Sequence, residues 1–149
     1  MKRLQKLVEL TKPRNLALFL KILICIPIFK LLLLWMKMPD LLKSLDRDSD
    51  NIKPFENQDK DFAELASKYT NFILISCFRS KKPCLIRSLI LFYLLRKKAL
   101  DVKIHFGIKK SVSPFEGHSW LSLNGKFFLE HCDPQLLHAD IYSYPFEIK

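Results

Sequence analysis

Residues 83–131 run PCLIRSLILFYLLRKKALDVKIHFGIKKSVSPFEGHSWLSLNGKFFLEH, and three elements follow from the stretch. Cys84 to Lys98 is strongly apolar and ends in the cationic turn Arg96, Lys97, Lys98, which predicts a helix. Pro83 suits the start of that helix, where its missing N–H is not needed. Val102, Ile104, Phe106 and Ile108 then alternate with Lys103, His105, Gly107 and Lys109, the pattern of a half-buried strand. A loop through Ser113 and Pro114 leads to GHSWLSL, Asn124-Gly125 and KFFLEH. Two alternating runs around Asn-Gly predict a β-hairpin.

The hairpin admits two registers. A two-residue turn at Asn124-Gly125 pairs Leu123 with Lys126, sets His118 opposite His131 and turns Glu130 to the other face. A three-residue loop pairs Ser122 with Lys126, Trp120 with Phe128 and His118 with Glu130. The second gathers Leu121, Phe127 and Leu129 with Ser119 on one face, and His118, Trp120, Phe128 and Glu130 on the other. A one-residue slip mixes those faces, so the three-residue loop is the expected register.

These elements put chemistry in one place. Cys84 falls at a helix amino terminus, where unpaired N–H groups and the helix dipole stabilise a thiolate, helped by Lys81, Lys82 and Arg87. The same amides are donors for an oxyanion. A histidine on a strand, oriented by a carboxylate on the next strand, supplies the base that such a thiol needs. Cys84, His118 and Glu130 are therefore the candidate nucleophile, base and orienting acid. Trp120 reads equally as packing or as the lining of a substrate groove. His105, on the polar side of its strand, and His138, in the tail, read as ordinary residues outside the site. His131, Cys132 and Cys77 lack zinc-site spacing, so no metal site and no cofactor is expected.

Toward the amino terminus, Leu16 to Met36 reads LALFLKILICIPIFKLLLLWM. It is long enough to span a bilayer but is interrupted by Lys21, Pro27 and Lys30, and it lacks a signal-peptide cleavage site. The expectation is a helix kinked at Pro27 that packs on the catalytic domain, a partner or a membrane surface. Residues 46–61 hold Pro54 and read as a linker. Residues 62–75 carry Phe62, Leu65, Ala66, Tyr69, Phe72 and Ile73 at helical spacing, behind Asp61 and Glu64 as a capping pair. The expected organisation is an apolar basic helical segment (1–45), a linker (46–61) and a domain (62–149). Tyr142, Tyr144 and Phe146 are expected to anchor the tail on the core.

The chain has 149 residues and a net charge of +10, enough for one compact domain. Residues 79–110 alone carry ten Lys/Arg against Asp101, which favours an acidic partner. Nucleic acid is excluded as that partner, because the cations are scattered around an apolar helix and no nucleic-acid module is recognisable. The cysteines Cys25, Cys77, Cys84 and Cys132 are irregularly spaced, as in free thiols of a reducing cytoplasm.

The segments CLIRSLILFYLLRKK, VKIHFGIKK and PFEGHSWLSLNGKFFLE resemble the transglutaminase-like leader peptidase of lasso-peptide biosynthesis, in its stand-alone, split form. The resemblance covers Cys84 to Glu130 and extends to the apolar amino-terminal segment and the length. It implies an α+β, papain/transglutaminase-like fold, with the catalytic cysteine at a helix start packed on a small antiparallel sheet. Cys84, His118 and Glu130 fall on its Cys-His-Asp triad, Glu130 departing from the usual Asp. Ala99 stands where a glycine commonly ends the helix, and Gly117 and Ser119 where alanines flank the histidine. The resemblance also implies a cysteine protease that releases a core peptide from its ribosomally made precursor. A separate leader-binding protein and an ATP-dependent, asparagine-synthetase-like cyclase are the implied partners. Arg96, Lys97 and Lys98 read equally as a docking surface or as a solvated helix end. The rival readings are an acyl or amide transferase on the same fold and a non-catalytic, membrane-associated binding protein. The expected location is the cytoplasm, with membrane-surface contact through residues 16–36 as one of the three placements open to that segment.

Overall fold

A computed structural model describes residues 13–46, 52–80, 83–110 and 116–145. Lys81, Lys82, Ser113, Pro114 and Phe146 lie outside the described residues. Four helices, α1 (Pro13–Trp35), α2 (Met38–Leu45), α3 (Asn57–Ser76) and α4 (Cys84–Arg96), precede the strands β1 (Val102–Lys109), β2 (Gly117–Leu123), β3 (Lys126–Phe128) and β4 (His138–Tyr144). The strands form one antiparallel sheet in the order β3-β2-β1-β4. The fold is α+β, as expected, with the cysteine-initiated helix packed on the sheet.

The amino-terminal segment packs on the domain. Leu18, Ile22, Ile26 and Phe29 of α1 and Leu41, Leu42 and Leu45 of α2 join α3, α4 and the sheet in a single core. Helix α1 runs unbroken through Pro27. Behind α2, Asp46 accepts a 2.6 Å hydrogen bond from Arg96 Nε, and both side chains are 4% exposed. Arg96 also donates to Asp101 at 3.2 Å. This corrects the reading of Arg96 as part of a docking surface or a solvated helix end: its charge is inside, paired with a residue 50 positions away. Lys97 lies 5.1 Å from the Tyr93 ring centre, and Lys98 lies 4.5 Å from that of Phe62 and 3.6 Å from Asp59.

Helix α3 begins at Asn57, inside the expected linker, and its caps are Glu56 and Asp59 rather than Asp61 and Glu64. The two carboxylates form a reciprocal capping box, satisfying backbone donors that a helix start leaves open. Asp59 is buried and takes two hydrogen bonds from Lys53 Nζ at 2.8 and 2.9 Å. The Lys53 bond, opposed by burial, holds its carboxyl below the ordinary carboxylate value. At the end of α4, Ala99 takes φ +59°, and Leu100 N–H reaches back to Leu95 O at 3.2 Å. The chain thus leaves α4 through a left-handed residue although no glycine is present, the Leu100 bond satisfying one of the last carbonyls.

The hairpin has the two-residue turn, which corrects the expected three-residue loop. Leu123 pairs with Lys126, Ser122 with Phe127 and Leu121 with Phe128. Asn124 and Gly125 both have positive φ, +51° and +76°, the twist a tight hairpin needs. The faces of the two phenylalanines are therefore exchanged. Phe128 turns to the core, edge-on to Phe55 at 5.5 Å, and Phe127 is exposed. The tail is more than an anchor, since residues 138–144 form β4 along β1, with Tyr142 and Tyr144 against the core.

Candidate active site

Cys84 is the first residue of α4, directly after Pro83. The first backbone bond of the helix runs from Arg87 N–H to Pro83 O at 2.9 Å, and no side chain caps the start. Cys84 is half-buried, and all four cysteines are free.

His118 is the second residue of β2, alternating with Trp120 and Ser122. The two-residue turn alone would send Glu130 to the opposite face. It does not, because Leu129 adopts φ +62°, which ends the strand alternation one residue early. Glu130 then approaches His118, with 3.9 Å between Oε2 and Nε2. The expected partnership arises by a different route: a tight turn followed by one left-handed leucine.

Arg87 links this pair to the cysteine's helix. It donates 2.5 Å from Nη1 to Glu130 Oε1, and Nη2 donates to Leu129 O. Arg87 lies three positions after Cys84, hence on the same side of α4. The structure brings Glu130 and His118 together directly and joins them to the first turn of α4 through Arg87. Among the described residues no hydrogen bond connects the Cys84 thiol with His118.

Burial pushes the His118 imidazole below its ordinary value; nearby Glu130 opposes this, while His138 and Arg87 add to it. A histidine so held is neutral at pH 7, the form that accepts a proton. Its NMR titration midpoint should fall below 6.5. Glu130→Gln should lower it further by removing the one opposing charge, and Arg87→Met should raise it. A midpoint above 6.5, or shifts of the opposite sign, would contradict this account.

Sequence reasoning missed His138, whose ring centre is 5.0 Å from that of His118; only the β1–β4 pairing brings them together. His105 is not an ordinary polar position either. Its ring stacks on Trp120 at 5.5 Å, with Nδ1 2.5 Å from Asp140 Oδ2 and Nε2 2.7 Å from Ser122 Oγ. Trp120 is 1% exposed and stacks on His118 at 6.0 Å. It lines a groove of about 580 Å³ together with Lys103, His105, Ser122, Lys126 and Phe127. Cys84, His118 and Glu130 do not line that groove; His105 and Trp120 do, and Trp120 connects it to His118 through their ring stack.

Gly107 explains how the indole fits. A methyl group there would stand 2.8 Å from two Trp120 ring carbons and 2.7 Å from Ala139 O. Gly107→Ala should cost about 1–3 kcal/mol, the range for overpacking, read by urea denaturation. An unchanged midpoint would show that the indole does not lie on that backbone.

An α-helix opening on a cysteine is packed here on an antiparallel sheet that carries a histidine beside a carboxylate, the set of groups that α+β enzymes with a thiol nucleophile use. A family model described as the transglutaminase-like superfamily matches residues 40–139, from α2 into the start of β4. The chain belongs to the transglutaminase-like superfamily, which includes cysteine peptidases and transferases. No curated protein and no solved structure gives a significant match.

Proposed function

We propose that this chain is a cysteine peptidase that removes the leader from a ribosomally made lasso-peptide precursor, with Cys84 as nucleophile, His118 as base and Glu130 as orienting acid. The observation that carries the reading is Glu130. One of its oxygens faces His118 at 3.9 Å, and the other holds Arg87, one turn into the helix that Cys84 begins. Superfamily membership and the sequence resemblance supply the peptide chemistry.

In this mechanism His118 takes the thiol proton, and Cys84 Sγ attacks the scissile carbonyl carbon. The uncapped N–H groups at the start of α4 receive the oxyanion. The C–N bond breaks as the imidazolium returns its proton to the leaving amine, leaving a thioester on Cys84. Water, deprotonated by His118, then releases the leader as a carboxylate and restores the thiol. Glu130 in place of the family's usual Asp performs the same orienting role with a longer side chain, steadied by Arg87. The groove beside Trp120 receives a neighbouring part of the peptide. A separate leader-binding protein presents the precursor, and an ATP-dependent, asparagine-synthetase-like cyclase consumes the released core.

The test is to incubate the full chain with precursor peptide and leader-binding protein and to read product masses. A leader ending in a free carboxylate is expected, with none formed by Cys84→Ala. A leader ending as an amide with an added amine would move the activity to the transferases. Intact precursor would overturn the proposal.

A further inference from the structure

Helix α1 is apolar on two opposite sides. Leu18, Ile22, Ile26 and Phe29 are buried against the protein, while Leu16, Leu20, Ile24, Ile28, Leu31 and Trp35 are exposed. At about 100° per residue the exposed set covers an arc of roughly 120°, centred opposite the buried set. The patch continues onto α3, whose exposed Phe72 stands 6.5 Å from Phe19 and whose Ile75 is also exposed. Soluble monomers rarely expose so large a continuous apolar face.

The lysines that interrupt this sequence do not interrupt the face. On the same wheel Lys21 and Lys30 stand at its two borders. Each folds over a ring of the protein, Lys21 at 5.4 Å from the Tyr93 centre and Lys30 at 4.9 Å from the Phe78 centre. Exposed Arg14 and Lys37 flank the two ends of the helix. An apolar strip framed by cations, with Trp35 82% exposed at one end, fits the plane between anionic headgroups and acyl chains.

We infer that α1 and the exposed edge of α3 form a one-leaflet docking surface for an anionic lipid membrane, with α1 lying in the interface. Helix α1 is long and apolar enough to cross a bilayer. Spanning, however, would tear Leu18, Ile22, Ile26 and Phe29 from the core they share with α3 and α4. The flanking cations favour an anionic lipid surface over a second copy of this chain, which carries the same charges.

The chain reports its own docking. Its tryptophans are Trp35, exposed, and Trp120, buried, so a blue shift in emission arises from Trp35. Adding phosphatidylcholine vesicles that contain phosphatidylglycerol to the full chain should give that shift and cosedimentation. Binding should weaken at least about tenfold without phosphatidylglycerol or at high salt. Ile24→Asn with Leu31→Asn should weaken it by at least as much while leaving the thermal midpoint unchanged, both side chains being exposed. Absent vesicle binding, or equal binding by the double variant, would overturn the inference. So would a dimer that the double variant dissolves, which would assign the face to a second copy. Resistance to alkaline carbonate extraction would overturn the in-plane geometry in favour of a span.

Discussion

Cys84→Ala and His118→Ala should each lower precursor cleavage by at least about 10³-fold, while both variants keep the thermal stability of the parent chain. The size follows from the roles. Without the thiol no thioester forms, and without the imidazole neither the attack nor amine departure has its proton carrier. Because both act in one sequence of steps, the double variant should be no worse than either single one. Glu130→Gln should cost less, since Arg87 would still have a neutral oxygen to hold. The pH profile follows from burial of His118. Its proton-accepting form persists below the ordinary histidine value, so the acid limb of kcat/KM should lie below pH 6.5. Arg87→Met should move that limb upward, because Arg87 is one of the cations that disfavour protonation. Cleavage assayed from pH 5 to 8 checks both statements; a limb at or above 6.5 would remove His118 from the role of base.

The second large effect is on stability. Arg96→Met leaves Asp46, 4% exposed, without its 2.6 Å partner. Breaking a buried pair in this way costs about 3–5 kcal/mol, which in a domain of this size lowers Tm by roughly 10 °C or more. Tyr144 offers Asp46 a further hydrogen bond, and its hydroxyl is pushed up mainly by burial and then by that carboxylate. Arg96→Met combined with Asp46→Leu should recover most of the loss, because removing both leaves no buried charge unpaired. Calorimetry on the two variants decides it. Equal stability of Arg96→Met and the parent would mean that the pair does not fasten α2 to α4.

The sequence made the local devices legible and left the long-range ones hidden. Pro83-Cys84 before an apolar run announces a helix start, and Asn124-Gly125 between alternating runs announces a turn, because each signal lies within a few residues. The register was not legible. Phe127 and Phe128 are both apolar and either could face the core, and nothing about a leucine signals φ +62° at position 129. Glu130 was placed beside His118 on the wrong pairing, and two departures from the expected path cancel. Arg96 reads as one more cation at a helix end; only Asp46, far away in the chain, makes it a buried ion. The α3 start was missed because glutamate is an uncommon N-cap and its partner Asp59 looks like linker polarity. His138 and β4 depend wholly on pairing with β1. The α1 segment was legible as apolar, but which side it would bury was not, since both sides are apolar.

Whether His118 serves the thiol of Cys84 is read by peptide-resolved alkylation. The full chain treated with limiting iodoacetamide at pH 6.5 carries its own controls, because Cys77 and Cys132 are exposed and Cys84 is half-buried. Cys84 should be modified at least about tenfold faster than either control despite its lower exposure, and His118→Ala should abolish this lead. Modification of Cys84 no faster than Cys77 and Cys132, or a lead that survives His118→Ala, would contradict it.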